Sequence, residues 1–450
     1  MSTESMNIKH EEDGLGPIPF DKKHRIMGPG SYLMAWLGGC VSIGNFSLGS
    51  SLVGGGLNLM QVILAIALGS GLVCICLVIN DKLCYTTGMP YVVQLRSAFG
   101  FKGTVIPSLC RSIPAIVWYG FQSWVGASAL NEISILIFGF DSMIFYFVVF
   151  HLLQVGLAAI GFKGIKAIEN IGGVVIILSL GYMLFTMLHL HGDSVTQIAS
   201  APANWGLPFF SAVTSFVGVN CLVLISVGDY VREVKPGCGP VKRGGVYAAA
   251  LMPATIFMGV IGLLVTNVTG IANPVVGFSR VVDNKFVVVL TLIFIIFAQV
   301  TTNLLNNSLP PIYAMMDIFK IKHKVAAIVV GLLAFATFPW ELIKETSASG
   351  LNVFILIYSA FAGPIFAILV TDYYLVHKQK INLPDFYNPN GPFKGVNFAA
   401  IAAIIVGVIV SFVFVDISWI ASIVPTILVY YFLKTRTKRV ETSSTQSAVQ

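Results

Sequence analysis

The sequence predicts an all-α polytopic membrane protein of twelve transmembrane helices, arranged as two inverted five-helix repeats followed by two further helices. Three observations predict it. Charged residues are only 10% of the 450 positions while hydrophobic residues are 56%, against roughly 25% charged in a soluble domain, and mean hydropathy is +0.85. Apolar runs of the roughly 20 residues needed to cross a bilayer recur twelve times. The first and sixth runs are interrupted by Gly and polar residues at corresponding places in the two halves, the mark of a membrane fold assembled from inverted repeats.

Residues 1–28 are polar and mixed in charge and are read as a cytoplasmic tail. They lack the basic start and short apolar core of a cleavable signal. The first repeat, 29–192, holds spans at 30–52, 59–80, 104–135, 143–162 and 170–190; the second, 193–376, holds spans at 206–228, 246–270, 286–306, 323–340 and 350–376. A cytoplasmic loop and the spans at 396–415 and 417–434 complete the region 377–434, and 435–450 is a second cytoplasmic tail. The connecting loops are too short for a soluble catalytic domain.

The net charge of +7 takes its meaning from its distribution. Lys22, Lys23 and Arg25 precede span one; Lys82, Arg96 and Lys102 follow span two; Lys163 and Lys166 follow span four; Arg232, Lys235, Lys242 and Arg243 follow span six. Lys320, Lys322 and Lys324 follow span eight, and Lys434 and Arg436 close the chain, whereas the opposite loops hold only Arg280, Lys285 and Lys344. The positive-inside rule therefore puts both termini in the cytoplasm of a cell-membrane protein. The charge orients a bilayer protein and implies no nucleic acid. The seven cysteines form no CxxC pair and fall mostly inside apolar spans, so they are read as packing thiols.

Span one reads SYLMAWLGGCVSIGNFSLGSS, and Gly38, Gly39, Ser42, Gly44 and Asn45 fall where lipid demands an unbroken apolar helix. Unwound backbone at that depth must face protein or a water-filled cavity, so a break and a binding site are expected there. Span six repeats the feature with Thr214, Ser215, Gly218 and Asn220 in mid-span. Two such segments point to a transporter, although glycine is also common in membrane helices generally.

In span three, IPAIVWYGFQSWVGASAL, Trp118 and Gln122 stand four residues apart and so share a helix face. An indole offers a stacking surface and an amide offers both donor and acceptor, the pair a flat heterocycle needs. The same pair also serves as packing and interhelical glue. In span eight, LTLIFIIFAQVTTNLLNNSLPP, the residues Ala298, Thr301 and Thr302 share a face, and Asn303, Asn306 and Asn307 are too polar for lipid contact. Two hydroxyls beside the free carbonyls of a broken helix suit a hard cation; they also suit ordinary interhelical hydrogen bonds.

Glu132, Glu169, Asp229 and Asp372 fall at span ends and read as helix-end or interfacial charges, so no proton-carrying carboxylate stands out and an alkali cation is the simpler coupling ion. HExxH, GxxxxGK[ST] and GxSxG are absent, which argues against an ATP-driven pump or an enzyme. A carrier for amino acids or quaternary amines on the same architecture, and a channel, remain as other classes.

Four segments carry a likeness: WYGFQSWVGA in span three, AQVTTNLLNN in span eight, FPWELI after span nine, and GPIFAILVTDYYLVHKQKINLPDFY from span ten onward. On these the chain resembles the nucleobase:cation symporter-1 family, whose members carry purines, pyrimidines, hydantoins, allantoin and related compounds. The resemblance implies a LeuT-like five-plus-five repeat with broken helices one and six. It implies that Trp118 stacks on the cargo while Gln122 and Asn307 read its edge. It further implies a Na+ site from the carbonyls of Gly38, Val41 and Ala298 and the hydroxyls of Thr301 and Thr302. No cofactor beyond the coupling ion, Na+ or H+, is implied; the partners are a small heterocycle and the lipid bilayer, and the sequence sets no oligomeric state.

The chain departs from the family at position 220, where hydantoin and allantoin carriers place Trp and cytosine carriers an aromatic, and this chain has Asn220. Ser42 likewise stands where some members have an amide. Substrate-binding residues are thus expected at Ser42, Trp118, Gln122, Gly218, Asn220 and Asn307, around a cargo richer in edge hydrogen-bonding groups.

Overall fold

The structure, a computed structural model, describes residues 14–160, 181–182, 184–271, 273–281, 284–341 and 348–447. Residues 170–180 and 183 of predicted span five, with Lys163, Lys166, Glu169, Lys344 and the last two residues of FPWELI, lie outside the described residues.

Among the described residues the fold is helical, with one isolated bridge between Met27 and Val234. Seven helices among the described residues are long and apolar enough to cross a membrane. Span one is broken as expected, into Pro29–Cys40 and Ile43–Ser51. Span two is Leu59–Thr87, span three Val105–Phe138 and span four Met143–Ile160. Span six is Leu207–Ile225, span seven Pro240–Thr269 and span eight Lys285–Thr302, which continues through a π turn, Asn303–Ser308, into Leu309–Phe319. Span nine is His323–Phe335, span ten Ala348–Val370, and spans eleven and twelve Phe398–Val413 and Ser418–Ser447.

Span two shows how local chemistry sets an element. It opens on a capping box, in which Asn58 Oδ1 accepts from the Gln61 N–H at 2.9 Å and Gln61 Oε1 accepts from the Asn58 N–H at 3.2 Å. It ends at Gly88, whose φ of 73° suits a residue without Cβ. The helix runs past Asn80, where the polar triplet Asn80-Asp81-Lys82 predicts its end, because Arg243 of span seven grips Asp81 with two bonds of 2.6 and 2.8 Å. Tyr247 adds a third donor to Asp81 at 2.7 Å.

The spans sort into two packed sets. Span seven packs on spans one and two, and span two on span six; span three packs on spans four, eight and nine, and span four on span nine. Spans one and seven approach through small residues: a Cβ on Gly49 would lie 1.9 Å from the Gly259 carbonyl oxygen, and one on Gly262 would lie 2.1 Å from that of Phe46.

Two expectations need correction. Span six is continuous helix through Gly218 and Asn220, and its interruption lies beyond them at Ser226–Val227, after which the turn Gly228–Val231 resumes. A single mid-helix Gly costs only about 1 kcal/mol, and the Asn220 amide bonds back to its own helix at Phe216 O, 2.9 Å away. Asp229 and Asp372, expected as helix-end or interfacial charges, do sit in the first turns of Gly228–Val231 and Thr371–Val376, but both are buried in protein: Asp229 accepts the Tyr91 backbone N–H at 2.8 Å and Asp372 accepts the Tyr430 hydroxyl at 2.7 Å.

Candidate functional site at the broken first span

A helix that stops leaves its last four carbonyls without intrahelical partners. In span one these belong to Gly38, Gly39, Cys40 and Val41, and each meets a donor. Thr301 Oγ1 donates to Gly38 O at 3.2 Å, and Thr302 Oγ1 reaches both Gly38 O at 3.0 Å and Val41 O at 3.1 Å. Asn306 Nδ2 donates to Gly39 O at 2.7 Å, and Asn45 Nδ2 to Cys40 O at 3.2 Å. Ser42, extended at φ −104° and ψ 137°, caps the second half-helix by accepting from the Gly44 N–H. Thr301 Oγ1 also lies 3.2 Å from Ala298 O. Gly38, Val41, Ala298, Thr301 and Thr302 thus bring five oxygens together in a buried place, and such an all-oxygen set fits a hard cation.

Beside these oxygens is a small cavity of about 30 Å3, lined by Gly39, Ser42, Arg111, Trp118, Gln122 and Asn220 together with Thr302, Asn306 and Asn307. Trp118 and Gln122 do share one face of span three, and both are buried. Trp118 meets Phe121 edge-on at 5.4 Å between centroids and Phe354 at 6.1 Å. Gly44 allows the indole close to span one, since a Cβ there would lie 3.1 Å from the Trp118 ring. The cavity admits a water molecule but not a heterocycle, whose pockets usually measure at least about 300 Å3. Larger cavities, of about 620 and 550 Å3, lie at Arg96–Tyr387 and at Gly54–Asn204, away from these groups.

Of the residues the sequence picks out for cargo, Ser42, Trp118, Gln122, Asn220 and Asn307 line the cavity, and Gly218 does not. A Cβ on Gly218 would meet Ser359 and Ile355 of span ten at 3.4 to 3.6 Å, so that glycine serves helix packing. The reason is angular: Gly218 and Asn220 are two positions apart and face different sides of an unbroken helix.

Gly39 and Asn306, noted in the sequence as interruptions of their spans but given no part in cargo binding, also line the cavity and are joined by the bond described above. Arg111 escaped the sequence reading, as did the apolar lining residues Val219, Leu222 and Val223. Arg111 is buried, with Nε donating to Ser226 Oγ at 2.8 Å and Nη2 to Asn306 O at 2.7 Å, while Nη1 has no hydrogen-bond partner. A signal for it existed, because an ionisable residue one turn into an apolar run points to a functional site.

Pro310 and Pro311 explain why span eight has carbonyls to offer. Proline has no N–H to return to the preceding turn, and the chain widens into the π turn just before them. The Leu305 carbonyl then accepts the Tyr230 hydroxyl at 3.2 Å, and the Asn306 carbonyl accepts Arg111.

Comparison with known proteins extends this geometry. A hydantoin permease of Microbacterium maritypicum is 30% identical over 446 residues, covering 95% of this chain and 90% of that protein. An allantoin permease of Bacillus subtilis (strain 168) is 26% identical over 460 residues, covering 92% of each. The solved structure of Mhp1, a nucleobase-cation-symport-1 family transporter in a closed conformation with bromovinylhydantoin bound, matches with a TM-score of 0.85 at 27% identity, over 94% of this chain and 95% of that one. The expected fold and family hold, and the relatives are permeases rather than enzymes. A family described as permease for cytosine/purines, uracil, thiamine and allantoin matches residues 17–433, and the chain belongs to it.

Proposed function

We propose that this permease is a secondary active symporter that imports a nucleobase or related N-heterocycle, of the purine, pyrimidine, allantoin or hydantoin class, together with Na+. It works in the cell membrane with both termini in the cytoplasm. The observation that supports the ion is the meeting of five oxygens at the break in span one, with Gly38 and Val41 contributed by one set of spans and Ala298, Thr301 and Thr302 by the other. A ligand shifts a conformational equilibrium only by its differential affinity for the two states. An ion held between two sets of helices favours the arrangements in which they touch there.

The cargo stacks on Trp118 and presents its edge to Gln122, Asn220 and Asn307, with Ser42 closing the side towards span one. The two sets of spans move apart to admit it, since 30 Å3 cannot hold it. Reconstitution into proteoliposomes tests this reading. An inward Na+ gradient should drive uptake of a labelled heterocycle, and Trp118→Ala should abolish uptake while the amount of protein and its Na+-induced thermal shift persist. Uptake that follows a proton gradient and ignores Na+ would remove the ion assignment. Competition by amino acids or quaternary amines, but not by nucleobases, would remove the cargo assignment. Asn220→Trp should move preference towards hydantoin-like rings.

A further inference from the structure

In the proposed orientation span three enters from the cytoplasm, so Arg111, seven residues before Trp118, lies about 10 Å nearer that side than the indole. Its guanidinium serves two neighbours. Nη2 donates to Asn306 O of span eight at 2.7 Å, and Nε donates to Ser226 Oγ, where span six is interrupted, at 2.8 Å. One turn beyond Ser226 the Tyr230 hydroxyl donates to Leu305 O of span eight at 3.2 Å. The inner end of span six is thus fastened twice to the opposing set, once to span three and once to span eight. Arg111, Ser226 and Tyr230 are all buried.

Both fastenings sit inward of the cargo and ion residues on their own spans. Ser226 and Tyr230 follow Asn220 on span six, which runs towards the cytoplasm, as Leu305 and Asn306 follow Thr302 on span eight. A cargo that enters from outside and leaves inward has to part them. They are suited to parting, because each is a single bond to a hydroxyl or a carbonyl. Asp81 and Arg243, inside one set, are instead joined by two bonds of 2.6 and 2.8 Å between opposite charges. Arg111 also borders the cargo, since it lines the cavity and its Nη1 has no hydrogen-bond partner. The first break is joined to the same residue: Asn306, whose carbonyl takes Arg111, gives its amide to Gly39 O at 2.7 Å. One run of hydrogen bonds therefore leads from Gly39 through Asn306 and Arg111 to Ser226, along the wall of the cavity.

We propose that the Arg111–Ser226 and Tyr230–Leu305 bonds are the inner seal of the transport path, and that Arg111 is the positioning residue that holds span six shut while it borders the cargo. This rests on the carrier reading, in which the two sets of spans part, and adds where the inner parting occurs.

Ser226→Ala with Tyr230→Phe removes both bonds and alters no residue that lines the cavity. Hydrogen exchange of the full chain in lipid nanodiscs, without cargo, should then quicken about tenfold over Gly228–Val231 and Asn303–Ser308, in line with two lost hydrogen bonds. Residues 207–214, in the outer half of span six, should keep their rates. Tyr230→Phe alone deletes one oxygen and should give about threefold, so the seal is tested even where the double variant fails to fold. In an Arg111→Lys background Ser226→Ala should add nothing, since the bond it removes is already lost. Membrane vesicles of opposite sidedness supply a readout that a merely structural role would not move. For whichever of labelled uracil, hypoxanthine, allantoin and hydantoin the unaltered protein carries, the half-saturating concentration should rise about threefold at the outer face and fall about threefold at the inner one, as the inward-open state gains population. Inner amides that keep their rate in a folded variant, amides that quicken equally at both ends, or half-saturation that moves the same way on both faces overturns the seal. Exchange needs neither cargo nor ion, so the two readings fail separately. Absence of Na+-driven uptake in the unaltered protein fells the symporter, and an unmoved inner end with uptake intact fells only the seal.

Discussion

The two interrupted spans of this protein are handled differently. Span one stops after 12 residues, and Val41 and Ser42 leave helical dihedrals altogether, at ψ 77° and 137°. Three of its four orphan carbonyls are met by Thr301, Thr302 and Asn306, from the opposing set of helices. Span six runs for 19 residues, and at Ser226 and Val227 the backbone stays close to helical, with ψ 21° and −24°. Its last carbonyls, Leu224 and Ile225, are met by Asn80 Nδ2 at 2.9 and 3.1 Å, from span two of its own set. The free carbonyls of the first break are thus met mostly across the two sets and those of the sixth within one, where the contact from the opposing set is to a side chain, Arg111 Nε donating to Ser226 Oγ. The first therefore gathers backbone and hydroxyl oxygens from both sets at the site of the proposed ion.

Removing both hydroxyls at the first junction, Thr301→Val with Thr302→Val, should raise the Na+ needed for half-maximal uptake roughly a hundredfold, from two lost interactions of about 1.5 kcal/mol each; an unaltered Na+ dependence would erase the distinction between the two breaks. Asn80→Ala withdraws three bonds, since Asn80 Oδ1 also accepts Gln94 Nε2 at 3.1 Å. It should lower stability by about 2 kcal/mol in a denaturation experiment, and the Na+ concentration for half-maximal uptake should stay put. Arg111→Lys keeps the charge but loses the fork that reaches both Ser226 and Asn306, and should cost about 1 kcal/mol by thermal melting. The smallest effect belongs to Gly218→Ala, where a Cβ finds ordinary contacts. Stability should change by no more than about 0.5 kcal/mol and uptake by less than about twofold, whereas a large loss of uptake would return Gly218 to the cargo site.

The sequence displays the first break because its cause is local: Gly38, Gly39, Ser42 and Asn45 weaken the helix and cap the next half-helix within a few residues. Trp118 with Gln122, and Thr301 with Thr302, are visible for the same reason, since helical spacing alone puts each pair on one face. The sixth span misleads because Gly218 and Asn220 look like the same defect, and only the partners decide the outcome: the donor supplied by Asn80 waits at the end of the span, beside Ser226, and not at Gly218. Arg111 and the prolines escape notice because their effect is settled by residues far off, Asn306 being 195 positions from Arg111.

The threonine hydroxyls at the first break bear on the return half of the proposed cycle. Because they bind Gly38 O and Val41 O directly at 3.0 to 3.2 Å, the hydroxyl protons occupy the lone pairs that the proposed ion would claim. Under that proposal each ion that binds competes with these bonds, so the hydroxyls set a cost on loading and a cap for the same carbonyls on release.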